Sequence, residues 1–245
     1  MTYPVEWRAS LHYDGLHHVN KFGFSTAVGA TEITIWDGGA AYAYPSTATV
    51  MKVSSASTAD AAGSTGALTF LVSGLDADYA EVSETVTLTG QTAVNTTKKF
   101  LRVFRGYVAS AGANGGNVGD IWIGTGVTTG GVPTVKYAGA LAGENQTLMA
   151  VYTVPADKTL LLENLKLSSS AAVKVATVRL MARPFGGVFR VQEKFTMPAG
   201  GLSWAYHVPK DFVAKTDIEV RALTSVGTES VSASFDGALI PNRST

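Results

Sequence analysis

"EVSETVTLTG", residues 81–90, is the stretch whose reading decides the fold. Val82, Val86 and Leu88 fall on even positions, while Glu81, Ser83, Thr85, Thr87 and Thr89 fall on odd ones. A period of two belongs to a β-strand, whose successive side chains point to opposite faces, so one face is expected buried and the other wet. Glu84 alone interrupts the apolar side.

The same texture spreads outward in both directions. Short runs rich in Val, Thr, Ile and Leu, separated by Gly, Ser, Asp and Asn, predict strands at 31–36, 48–53, 67–73, 81–89, 99–110 and 120–124. They resume at 147–154, 158–168, 173–183, 188–196, 202–207, 216–224 and 230–240, with "VPADKT" (154–159) a tight break carrying Pro155 and Asp157. No long helical pattern is visible. Between them, "GTGVTTGGVPTVKYAGALAG" (124–143) is dense in glycine and small residues and reads as a linker. The expectation is an all-β chain of tandem antiparallel β-sandwiches, jelly-roll or immunoglobulin-like, with one long jelly roll as the runner-up. Residues 1–25 would form an extended N-terminal arm, 26–125 the first sandwich, 126–143 the linker and 144–245 the second sandwich.

The arm stands apart in composition. It holds three of the four histidines together with Tyr3, Trp7, Tyr13 and Phe22, and shows little periodicity. Aromatic side chains left in water forfeit burial energy of roughly 2 kcal/mol each, so such a segment is expected to lie on a partner.

Composition excludes several classes. The 245 residues carry 16% charged side chains and zero formal net charge, which gives no electrostatic footprint for nucleic acid or an anionic membrane. Few charges and no net charge also protect poorly against self-association, as suits a subunit whose surface is covered. Without cysteine there are no disulfides, thiolate nucleophiles or thiolate metal sites. No stretch approaches the roughly eighteen apolar residues of a membrane span, and the N-terminus lacks a signal-like pattern, so a soluble protein made in a cytosol is expected.

Catalytic and metal signals are weak. His207 stands alone in "SWAYHVPK", and His12, His17 and His18 lack the spacing of a zinc helix. Asp76, Asp78 and Glu81 lack the glycine and the twelfth-position glutamate of a calcium loop. "SAGANGGNVG" (110–119) has no lysine-serine or lysine-threonine end to make it a phosphate loop. No catalytic, cofactor-binding or metal-ligating residue is nominated. Trp36, Trp122 and Trp204 would serve sugar stacking if they faced outward, and core packing if they did not.

"ARPFGGVFRVQEKF" (182–195) places Phe185 and Phe189 around Gly186 and Gly187, between Arg183 and Arg190. It reads as a hairpin corner followed by a strand apolar on both faces, so the second face must also be covered.

The segments "VNKFG" (19–23), "IWDGGAAYAYP" (35–45), "GLDADYAEVSETVTLTG" (74–90), "FLRVFRGYV" (100–108), "QTLMAVYTVPADKTLLL" (146–162) and "RPFGGVFR" (183–190) together give the chain from about residue 19 onward a family likeness. It resembles virion structural proteins of tailed bacteriophages, of the cyanophage and marine-phage type. The resemblance implies a non-enzymatic particle component: a capsid decoration or cement protein, a head or neck fibre, or a tail component. It implies synthesis and assembly in the host bacterial cytoplasm, residence in the virion, and partners among major capsid, portal, neck or tail proteins. A homo-oligomer, with a trimer favoured, is also implied, and no cofactor. The residues expected to make protein contacts are Tyr3, Trp7, Tyr13, Phe22, Arg183, Phe185, Phe189 and Arg190. A carbohydrate-binding receptor module is the alternative, and a depolymerase the weakest reading.

Overall fold

A computed structural model of the chain describes residues 16–170, 175–225 and 227–242, and every regular element among them is a β-strand. Two strands come first, β1 (His17–Val28) and β2 (Ile33–Thr34). Next are β3 (Thr49–Ser55), β4 (Ala67–Leu75), β5 (Glu81–Thr87), β6 (Val94–Phe100), β7 (Arg102–Ala111), β8 (Ile121–Thr129) and β9 (Val132–Ala140). The series ends with β10 (Val151–Thr153), β11 (Lys158–Ser169), β12 (Ala176–Arg183), β13 (Arg190–Met197), β14 (Gly200–Phe212), β15 (Asp217–Thr224) and β16 (Glu229–Pro241).

These strands form four antiparallel sheets arranged as two face-to-face pairs. The sheets β6-β3-β8-β9 and β5-β4-β7 share a core of Met51, Val53, Phe70, Val72, Ile121 and Ile123. The sheets β1-β16-β11-β14 and β10-β15-β12-β13, the latter with β2 beside β15, share a second core of Leu160, Leu162, Phe235, Val178, Leu180 and Val220. Burying such side chains contributes roughly 1.5–3 kcal/mol apiece and is what holds each pair closed.

The all-β expectation holds, but the order along the chain is not tandem. β1 runs antiparallel to β16, from His17 opposite Leu239 to Val28 opposite Glu229, so the N-terminal strand belongs to the same sheet pair as the C-terminal half. Residues 17–25, expected in an arm, are therefore strand; residues 1–15 lie outside the described residues. The sequence hid β1 because its inward positions are Val19, Lys21, Gly23 and Ser25, of which only valine looks like core. Gly23 is required there, since a Cβ would meet the carbonyl oxygen of Ile35 at 2.1 Å and the nitrogen of Ala150 at 2.4 Å.

The expected linker, 126–143, is instead the end of β8, a two-residue turn and β9. Gly130 and Gly131 sit at φ 56° and 80°, the left-handed values a two-residue hairpin needs at both positions. Beyond the turn, Ala138 and Ala140 are buried and Gly139 lies under the Trp122 ring, so smallness here reflects tight packing rather than a flexible spacer. The pair built from β3 to β9 is thus inserted between β2 and β10, and the expected strand 99–110 breaks at Leu101, where the chain leaves one sheet of this inserted pair as β6 and enters the other as β7.

β5 confirms the decisive alternation and explains its exception. Val86 and Leu88 are buried while Glu81, Ser83, Thr85 and Thr87 are exposed. The Glu84 carboxylate accepts hydrogen bonds from the backbone nitrogens of Thr97, at 2.8 and 3.0 Å, and Lys98, at 2.8 Å, across the gap to β6. Burial alone would raise its pKa, but these donors hold it below the ordinary value.

Residues 33–36 and 145–153 stitch the two pairs together. The nitrogen of Thr147 donates to the carbonyl of Gly106 in the inserted pair at 2.9 Å, whereas three residues later Ala150 donates to Ile35 at 2.9 Å and Val220 donates to Ala150 at 3.0 Å. The loop 110–119 is pinned rather than loose. Buried Asp60 accepts from the nitrogens of Val118 at 2.9 Å, Gly119 at 2.8 Å and Ala67 at 2.8 Å, and from the Ser55 hydroxyl at 2.6 Å.

Candidate functional site

β15 alternates Ile218, Val220 and Ala222, directed into the core, with Asp217, Glu219 and Arg221 on the opposite face. In sequence this reads as a wet face. In the fold, residues 37–48 lie across it and bring Tyr42 and Tyr44 onto the charges. The Tyr42 hydroxyl donates to the carbonyl of Val103 at 3.0 Å and that of Tyr44 to Glu219 Oε2 at 3.2 Å. Trp36, Tyr42, Tyr44 and Phe189 form a chain of ring contacts with centroids 5.2, 4.8 and 5.4 Å apart. Burial raises both tyrosine pKa values, so these phenols stay neutral donors.

Where the two sheet pairs meet, at the start of β15, there is an open cleft of about 720 Å³. Its floor is Asp217. Oδ1 accepts from Arg102 Nε at 2.8 Å and Thr153 Oγ1 at 2.6 Å; Oδ2 accepts from Arg102 Nη2 at 3.1 Å and from Arg183 Nε and Nη2 at 3.0 and 2.6 Å. The strand register sets this geometry, since Thr153 and Arg183 flank Asp217 on the neighbouring strands β10 and β12. Arg102 also donates Nη1 to the carbonyls of Pro45 and Leu101, both at 2.9 Å. Burial opposes its charge, but the bonds to Asp217 outweigh that and raise its pKa further. Both carboxylate oxygens are committed, so among the described residues the cleft presents cationic donors around an already paired carboxylate.

Lys215 forms the rim. Its φ of 63° is a turn conformation, and its ammonium lies 5.3 Å from the Tyr79 ring and 5.2 Å from the Phe185 ring.

Three residues singled out from "RPFGGVFR" come together here. Arg183 is committed to Asp217 and stacks on Tyr44 and Phe189, each 4.6 Å from its guanidinium carbon. Phe185 forms an exposed wall of the cleft. Phe189 is half-buried against Tyr44, Arg183 and Arg221, so it packs within its own chain. Arg190 is exposed and lines a separate, smaller groove, and Phe22 is half-buried on β1 with the Arg105 guanidinium 5.9 Å from its ring. Tyr3, Trp7 and Tyr13 lie outside the described residues. Sequence reasoning missed Arg102, Asp217, Tyr44, Tyr79 and Lys215. The available signal was three charges alternating along "DIEVRA" (217–222), and nothing local said that the charged face would be covered.

Trp36 and Trp122 are buried, and Trp204 is half-exposed beside Phe195, with ring centroids 5.9 Å apart. Asp76 caps its own turn by accepting from the nitrogens of Asp78 at 2.9 Å and Ala80 at 3.0 Å. Among the described residues no group of three or more histidines or carboxylates is placed to hold a metal ion.

No protein-family model matches the sequence, and no curated protein does. Faint structural likeness is found to solved structures from infectious bursal disease virus. The Gx strain structure matches at 10% identity and TM-score 0.25, over 95% of this chain and 73% of that one. The Gt strain structure matches at 11% identity and TM-score 0.21, over 93% and 73%. The virus's VP2 subviral particle matches at 9% identity and TM-score 0.16, over 95% and 78%.

Proposed function

We propose that the protein is a non-enzymatic structural component of a tailed-bacteriophage virion, assembled in the host cytoplasm and acting through protein contacts, as a capsid decoration or cement subunit or a head or neck fibre. The observation that carries this reading is the surface formed by β13 and β14. Among the described residues each is the edge strand of its sheet, and side chains of the two meet, Phe195 against Trp204 and Lys210 paired with Glu193 at 2.8 Å. Val191, Trp204 and Val208 are exposed along them, Val208 to 78%, and Val213 just beyond the end of β14. Two unpaired edges carrying exposed apolar side chains invite pairing with another chain unless a partner covers them. The low charge of the sequence and its resemblance to phage virion proteins support the same reading. A homo-oligomer, a trimer in the first instance, would cover such a surface in part.

The test is quantitative mass spectrometry of purified particles, alongside assembly with a Val208→Lys, Trp204→Glu double variant. A copy number comparable to the major shell protein supports decoration, and a small fraction of it supports the neck. Absence from particles, or incorporation of the double variant at the wild-type level, overturns the reading.

A further inference from the structure

We propose that the cleft over Asp217 is a docking site for an acidic peptide segment of a partner protein, with a carboxylate seated between Lys215 and Arg183. The inference rests on the reading of the protein as one that works by protein contacts, and names the chemistry of one such contact.

Charge is the first argument. The cleft is lined by Arg102, Arg183 and Lys215, and by one carboxylate, Asp217. Asp217 offsets a single positive charge, which leaves two in excess in a molecule whose net charge is zero. Arg102 commits four of its five N–H donors to Asp217 and two carbonyls. Arg183 directs Nε and Nη2 at Asp217, and among the described residues its Nη1 has no acceptor. The Lys215 ammonium has no ion pair or hydrogen bond among the described residues, only ring contacts. Both cations are held in place before any ligand arrives, Arg183 by a buried carboxylate and two rings, Lys215 by two rings and a left-handed backbone. Such preorganisation lowers the ordering cost of binding.

The rings argue for a peptide over a sugar. Saccharides stack on free aromatic faces, but Tyr44 carries Arg102 and Arg183, Tyr79 carries Arg102 and Lys215, and Phe185, the one exposed ring of the lining, carries Lys215. Beside the rings and the cations the lining is aliphatic, Pro45, Ala48, Leu101 and Pro184, together with the exposed side chains of Ser46 and Thr47. Aliphatic walls with hydroxyls and two anchored cations suit an extended stretch of chain bearing an acidic side chain.

The experiment is fluorescence anisotropy at low and physiological salt with the full-length protein and a labelled, end-capped hexaglutamate. Hexaglutamine, trigalacturonate and inorganic phosphate serve as competitors. Hexaglutamate should bind at least tenfold more tightly than hexaglutamine and lose affinity with salt. Lys215→Asn, a residue that tolerates the left-handed backbone, should weaken binding at least fivefold with an unchanged melting temperature, and Lys215→Arg should restore it. Equal affinity for hexaglutamine, indifference to Lys215→Asn, tighter binding of trigalacturonate, or displacement by phosphate at peptide-like concentrations would each overturn the proposal. A failure here with the protein still found in particles removes the acidic contact and leaves the virion reading intact.

Discussion

Arg102 and Asp217 are joined side by side, Nε to Oδ1 at 2.8 Å and Nη2 to Oδ2 at 3.1 Å, although each belongs to a different sheet pair and 115 residues separate them. Both side chains are nearly inaccessible to water. Removing one member of such a pair strands the other charge in a poor solvent. Asp217→Asn should therefore cost about 3–5 kcal/mol in urea denaturation, with Arg102→Met, which removes charge but keeps volume, costing less than Asp217→Asn. Equal small losses for both would show that the pair contributes little.

Asp60 makes a comparable commitment within the inserted pair, where its two oxygens satisfy three backbone nitrogens and one hydroxyl. Asp60→Ala orphans all four donors at a buried site. A loss of roughly 3 kcal/mol or more is expected, with faster hydrogen exchange at Val118 and Gly119 than at the β8 strand. Unchanged exchange in the loop would count against the anchoring role.

Asp37 has its pKa pushed up to about 7 by burial, a hydrogen bond from the Leu148 nitrogen being too weak to offset it. The folded state then holds a proton that the unfolded chain has released above about pH 4. Stability from this group is fully present below pH 4 and falls between about 4 and 7, on the order of a few kcal/mol. Asp37→Asn should flatten that part of the stability–pH profile, as read by denaturation midpoints from pH 4 to 8.

Lys21 gives the opposite slope at higher pH. Burial first, and the Arg105 charge second, hold its pKa well below the ordinary value of 10.5. The unfolded chain therefore binds the extra proton, and stability rises from the lowered folded pKa up to about 10.5. Lys21→Met keeps the stem, loses the bond to the Phe104 carbonyl and should abolish that rise. A wild-type profile that is flat or falling as the pH approaches 10.5 would contradict a buried amine whose pKa is lowered.

How much could be read in advance follows from what each strand buries. β5, β12, β15 and β16 bury Val, Leu, Ile or Phe at alternate positions, so their alternation was visible. β1 and β9 were not, because their inward positions hold Lys21, Gly23, Ser25 or small Ala138 and Ala140, which make no apolar alternation, and at Gly23 close backbone approach leaves no room for a Cβ. The cleft was half legible. "RPFGGVFR" pointed to Arg183 and Phe185, but their partners Arg102 and Asp217 are brought in by pairing across the whole chain, which no local pattern encodes.

The pairing of β1 with β16 also fixes an order in time. Residues 49–140, which hold β3 to β9, emerge from the ribosome as one continuous block and can close their own core early. β1, made before this block, has no edge to join until residues 229–241 have been made. Throughout translation the nascent protein thus carries a waiting strand, and any premature stop before Glu229 yields a product whose first strand stays unclaimed and open to another chain.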